Sequence, residues 1–135
     1  MYINEGSAIF SALAANSSLI SELGGTALYE RRVPTGTAYP YVVFMGAGRD
    51  TNESPRDVRY LDGTVKGIST SYAQAKRLAA HIRTALHGAD DTLNMGTVWQ
   101  VYRSQHTTDI DYTETVETKQ IYHVGGVYRI RINEA

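Results

Sequence analysis

The chain has 135 residues, 42% of them apolar and 20% charged, with a formal net charge of -1. That length fits one domain with a modest core, and the charge gives no global field drawing it to nucleic acid or an anionic membrane. With no cysteine there is no disulfide, thiolate metal site or thiol nucleophile, and no apolar run approaches the length of a membrane span.

The start, MYINEGSAIFSALAANSS, carries Glu5 and no basic stretch, so it does not read as a secretory signal. Ile9, Phe10, Leu13 and Ala14 predict a helix, with Asn4 or Ser7 as its cap. SSLISELGG predicts a second short helical turn, capped by Ser17 or Ser18 and stopped by Gly24 and Gly25. TALYERRVP is a short extended piece ending at Pro34. Pro40 cannot donate to a strand ladder and belongs at the start or edge of the next strand. From Tyr41 to Met45 the run is continuously apolar, which predicts a strand covered on both faces or partly covered by another subunit.

Residues 46–57, GAGRDTNESPRD, read as a long loop of the length at which loops are functional or mobile. In VRYLDGTVKGIST, Asp62-Gly63 marks a two-residue hairpin turn or a bulge within one long strand. Residues 70–88 carry the strongest pattern. Tyr72, Ala75, Leu78, Ala79, Ile82 and Leu86 fall on one side of a helix, with Thr70 or Ser71 to start it and Gly88 to stop it. The other side holds Lys76, Arg77, His81, Arg83 and His87, and the helix contains no acid. ADDTLNM reads as a linker and GTVWQVYRSQ as a strand. Residues 107–118 read as a second polar, mobile loop, holding Asp109, Asp111, Glu114 and Glu117. QIYHVGGVYRIRI closes the chain as a strand with Tyr122, Val124, Tyr128, Ile130 and Ile132 on one face and His123, Arg129 and Arg131 on the other. Gly125 and Gly126 suggest a bulge or bend in its middle. The order predicts a single α+β domain over 1–135, a mostly antiparallel sheet of about four to five strands with two main helices on one face.

The chemistry-bearing motifs are incomplete. Gly46-Ala47-Gly48 follows a strand, but the third glycine of a dinucleotide loop falls at Thr51 and no helix follows. Asp109, Asp111 and Thr113 match the first positions of a calcium loop, but Glu114 stands where the turn needs glycine and Gln120 where a bidentate glutamate belongs. His81 and His87 are about 120° apart on a helix and cannot share a metal. There is no Gly-x-Ser-x-Gly elbow. No cofactor, metal or catalytic set is implied. What remains points to association. One helix face bears only bases and one polar stretch only acids, and opposite patches meet either within the fold or head-to-tail between copies. Ten tyrosines against two phenylalanines suit surfaces that are apolar on one side and wet on the other.

The order of these pieces resembles the tail terminators (tail-completion or tail-to-head joining proteins) of long-tailed bacteriophages and gene transfer agents. The matching pieces are AIFSALAANSSLISELGG before LYERRVP, then YPYVVF, then GTVKGIST running directly into SYAQAKRLAAHIRTALHG, then a polar stretch and IYHVGGVYRIRI. Residues 50–63 and 107–118 depart from the pattern as variable insertions. The resemblance implies a structural virion protein of the tail and neck, made in the bacterial host cytoplasm, without catalysis or membrane contact. It further implies a homo-oligomer, a hexameric ring on the head-proximal end of the tail tube. That ring would contact the tail tube protein and the head connector or head-completion protein, with DNA passing through the lumen without specific binding. On this reading Asp109, Asp111, Glu114 and Glu117 face the lumen or a neighbouring subunit, because basic walls would hold phosphate. Lys76, Arg77 and Arg83 lie on an inter-subunit face or the outer wall, and Tyr39, Tyr41, Arg129 and Arg131 complete the contact residues. Two other readings remain: another head–tail joining part, such as a head-completion protein or stopper, and a small ligand-binding α+β domain with a concave apolar pocket.

Overall fold

The computed structural model describes residues 5–47, 58–88, 93, 95 and 99–134. Among them three helices and five strands follow in the order α1 (Glu5–Ala14), α2 (Ser17–Leu23), β1 (Leu28–Glu30), β2 (Tyr41–Ala47), β3 (Val58–Ser69), α3 (Tyr72–Leu86), β4 (Trp99–Val116) and β5 (Lys119–Glu134). The strands form one sheet in the order β1-β2-β3-β5-β4, antiparallel except for the parallel pair β1–β2. The α+β class and the strand number match the sequence reading.

The helices lie on one face of this sheet, as two glycines of β3 demonstrate. A Cβ at Gly63 would stand 3.0 Å from Cδ1 of Ile9 in α1, and one at Gly67 only 2.6 Å from Cβ of Leu78 in α3. Positions 63 and 67 share a face by the period of two. Their ladder neighbours on that face are Val42, Phe44, Leu61, Val65, Val124, Tyr128, Ile130 and Ile132, all buried. Ile9, Leu13, Leu19, Leu78, Ile82 and Leu86 complete the core from the helix side. Leu93 and Met95, in the stretch read as a linker, also pack against it; the rest of that stretch lies outside the described residues.

Local chemistry sets the helix ends. Ser71 caps α3 by accepting from the Gln74 N–H, as its place before the apolar stripe predicts. Asn16 rather than Ser17 or Ser18 caps α2, its Oδ1 accepting from the Leu19 N–H at 2.9 Å, and Gly24 closes the helix at φ 74°. Ser7 lies inside α1; Asn4, the other candidate cap, lies outside the described residues.

Several expectations are corrected. Asp62-Gly63 is neither a hairpin turn nor a bulge: β3 runs unbroken from Val58 to Ser69, and both residues are paired on both sides. The closing strand is regular at Gly125 and Gly126. The register shifts fall on β4 instead, at Val101/Arg103 and His106/Thr108. The glycines are needed for contact, since a Cβ at Gly125 would stand 2.1 Å from the Val65 carbonyl oxygen. Residues 107–118 are not a loop: β4 continues to Val116, and Glu117 (φ 58°) and Thr118 form the turn into β5. The polar run lacks an apolar alternation because its strand character comes from backbone pairing with β5. Finally, of the two readings of Tyr41–Met45, full cover of both faces by this chain is not what is found: Val42 and Phe44 are buried, while Tyr41 and Val43 on the other face are half-buried and Met45 is exposed. The loop read from residue 46 starts later, because β2 reaches Ala47; residues 48–57 lie outside the described residues.

Candidate functional site: the β4–β5 arm and the open sheet face

The last rung joining β3 to β5 is Ser69–Tyr122, yet β4 and β5 stay paired to Val116–Lys119. The hairpin end, Glu114 to Ile121, therefore overhangs the rest of the sheet by roughly 10 Å at the rise of a strand. This arm and the face of the sheet away from the helices carry most of the residues singled out from the sequence.

On the helix side, α3 and β4 are the walls of a groove of about 390 Å³. Lys76 and Arg83 line one wall, Asp109 and Asp111 the other, and Val124, Gly125 and Tyr128 form the floor. The basic and acidic patches thus do meet within the fold, but across a gap. Among the described residues they are joined by hydrogen bonding from Tyr72 rather than by an ion pair. Its hydroxyl donates to Asp111 Oδ2 at 2.7 Å, and that bond raises the Tyr72 pKa. Lys76 Nζ lies 5.4 Å from the Tyr72 ring centre, and Asp109 Oδ1 stands 3.0 Å from His106 Nε2. Burial pushes the Tyr128 hydroxyl up to about 12. Arg77 is separate from this groove and pairs with Glu22 of α2.

The face away from the helices is more aromatic than the sequence suggests. The Tyr39 and Tyr41 rings stack at 5.2 Å. Burial, then the neighbouring Tyr39, raises Tyr41 to about 12, with a further contribution from the Glu114 carboxylate. His123 is buried beneath Tyr112, its Nε2 3.1 Å from Glu114 Oε1, while Lys66 Nζ donates to the Tyr112 hydroxyl at 2.5 Å. At the other end of the sheet Arg129 donates to Asp62 Oδ1 at 3.0 Å, which raises the arginine's pKa, and lies over Tyr60. Arg131 lies 4.3 Å from the centre of the Tyr102 ring. Tyr39, Tyr41 and Glu114 thus form one cluster with His123 and with two residues the sequence reading missed, Lys66 and Tyr112. Arg129 and Arg131 form another, and Glu117 sits at the arm's turn. Lys66 and Tyr112 are adjacent only through β5, so no local motif marks them.

Residues 7–132 match the family model of tail completion protein gp17. The chain belongs to the tail completion protein gp17 family. The tail completion fold is also seen in a chain of the virion of a native gene transfer agent particle, 25% identical, with a TM-score of 0.70 over 94% of this chain and 92% of that one. No curated protein matches the chain. As a tail completion protein it is a structural part of a virion, located in the tail. None of its helices is long and apolar enough to cross a membrane among the described residues.

Proposed function

We propose that this tail completion protein assembles as a hexameric ring on the head-proximal end of a tail tube, stops tube growth and offers its other surface to the head connector in the neck. DNA passes through the lumen without specific binding, and the subunit performs no catalysis. The observation that carries this reading is the likeness over almost the whole chain to a subunit of a gene transfer agent virion. The arm supports it: the overhanging stretch Glu114–Gln120 is exposed throughout and suits burial in an assembly. In this reading Asp109, Asp111, Glu114 and Glu117 face the adjoining subunit or the lumen. Lys76, Arg77 and Arg83 lie on an inter-subunit face or the outer wall, and Tyr39, Tyr41, Arg129 and Arg131 on the remaining contact face.

Electron microscopy of tails assembled with and without the protein tests this. Over-long tubes in its absence, and six-fold density at the tube's upper end in its presence, are the expected result. Tails of normal length whose heads fail to join would overturn termination and favour a head-completion role.

A further inference from the structure

β4 is an edge strand of 18 residues, far longer than the 3-residue strand at the opposite edge. Long open edges recruit other chains, and proteins blunt them with bulges or covering segments. Here the first half of β4 is blunted and the second is not. Both register shifts fall before Thr108. The end of α3 covers the same stretch: the Gly88 N–H donates to the Ser104 carbonyl at 2.8 Å, and the His106 N–H donates to His87 Nδ1 at 3.1 Å. From Thr108 to Val116 the ladder is regular.

The direction of the free backbone groups follows from that pairing. Ser104 and His106 point away from β5, opposite Ile130 and Tyr128. The same alternation on β5 continues through Asp109–Gly126, Asp111–Val124, Thr113–Tyr122 and Thr115–Gln120. Counting back from the turn agrees, since the Val116–Lys119 pair closing a two-residue loop is the hydrogen-bonded one, which leaves Thr115 facing out. The N–H and C=O groups of Asp109, Asp111, Thr113 and Thr115 therefore all face the open edge.

We propose that this open half of β4 pairs with the outer edge of β1 in a second copy, so that the sheets of neighbouring subunits join into one; the inference rests on the ring reading above. Pairing β4 with another β4 about a two-fold would lay this acid-bearing stretch against its own copy, Asp109 opposite Asp111 or Asp111 opposite itself, which like charge disfavours. β1 is the sheet's other edge. There the Ala27 carbonyl and the Arg31 N–H are used by Val42 and Phe44, which turns Leu28 and Glu30 outward; the Glu30 carbonyl also accepts from the Arg32 N–H at 2.6 Å and keeps its second lone pair for a partner. Glu30 directs its carboxylate back against Gly6, and the exposed bases Arg31 and Arg32 follow directly. The sheet order makes β1 and β4 run in opposite directions. Copies related by rotation about an axis along the strands then present them antiparallel, with all helices on one side, the kind of heterologous contact that closes a ring. Leu28 opposite Thr115 sets Glu30 against Thr113, and Arg31 at φ 63° then turns the chain out of the strand, so that Arg31 and Arg32 stand past the end of β1 on the side toward Asp111.

Thr113→Pro tests the pairing. It removes an N–H that the subunit's own sheet does not use, so the subunit still folds, as circular dichroism and its melting point would register. Its ring, measured by native mass spectrometry where the wild type assembles, is expected to be lost. Asp111→Arg and Arg32→Asp each weaken the ring and together restore it, and assembly slows amide exchange at Thr113 and Thr115. The charge swap and the exchange pattern decide the matter even where Thr113→Pro misfolds. A wild-type ring that these variants form equally well, with those amides still exchanging freely, overturns the edge pairing alone. A wild-type chain that stays monomeric even with purified tubes overturns the ring reading and this proposal with it.

Discussion

Tyr112 and His123 face each other across the β4–β5 pair with ring centres 4.4 Å apart and planes 11° from parallel. Burial there lowers the His123 pKa, with Lys66 acting in the same direction; the hydrogen bond to Glu114 opposes both. A histidine depressed in the folded state stays neutral while the unfolded chain takes up a proton near pH 6.5. The folded state therefore loses stability as pH falls below that value. Thermal midpoints measured from pH 8 to pH 5 should decline for the wild type, decline less for His123→Phe, and decline more for Glu114→Gln, which removes the group that favours the protonated ring.

Gly125 is fixed by space rather than by backbone angle. A methyl group there would stand 2.1 Å from the Val65 oxygen and 2.5 Å from the Lys66 Cα, both backbone atoms of the central strand that cannot turn aside. Gly125→Ala is expected to cost about 3 kcal/mol, at the upper end of overpacking effects. Gly24→Ala meets nothing within 4 Å but sits at φ 74°, and should cost about 1 kcal/mol for that conformation alone. Chemical denaturation midpoints of the two variants check the order.

The helices and the succession of elements along the chain were legible because their information is local. The stripe from Tyr72 to Leu86 announces α3 by period, and Ser71 and Gly88 mark its ends. The arm was not legible, because Thr, Asp and Glu between 107 and 118 show no apolar alternation, and β4 exists there by backbone pairing to β5. The same limit hid the surfaces. Bases and acids were visible as runs, but the register decides that Asp111 reaches Tyr72, that Glu114 reaches His123 and that Arg77 leaves the basic face for Glu22.

Leu78 is fully buried between α3 and the sheet, against the position where Gly67 has no side chain. Leu78→Ala leaves a void beside a glycine, which cannot fill it. The expected loss is about 4 kcal/mol, toward the high side of such truncations. A loss below about 2 kcal/mol in urea denaturation would mean that the helix settles onto the strand.

The cap of α2 gives a smaller, sharper case. Asn16 rather than the adjacent serines accepts the Leu19 N–H, so Asn16→Ala should cost about 1 kcal/mol while Ser17→Ala and Ser18→Ala stay within about 0.5 kcal/mol. Equal losses at positions 16 and 17 would contradict this assignment.

Alkaline stability should turn on two tyrosines at opposite faces of the sheet. Tyr128, on the floor of the α3–β4 groove, and Tyr41, stacked on Tyr39, are both raised to about 12 from an ordinary 10.0, each mainly by burial. A phenol raised in the folded state keeps its proton after the unfolded chain has begun to lose it. Between pH 10 and pH 12 the unfolded state thus binds fewer protons, and stability falls as pH rises through that window. Phenylalanine at either position removes the ionisation and keeps the ring. Tyr128→Phe should therefore move the midpoint of alkaline unfolding upward, and should move it further than Tyr41→Phe, because Tyr128 is the more deeply buried of the two. Circular dichroism followed from pH 9 to pH 12.5 reads this directly, and an unchanged midpoint in both variants would show that other groups control the alkaline limit.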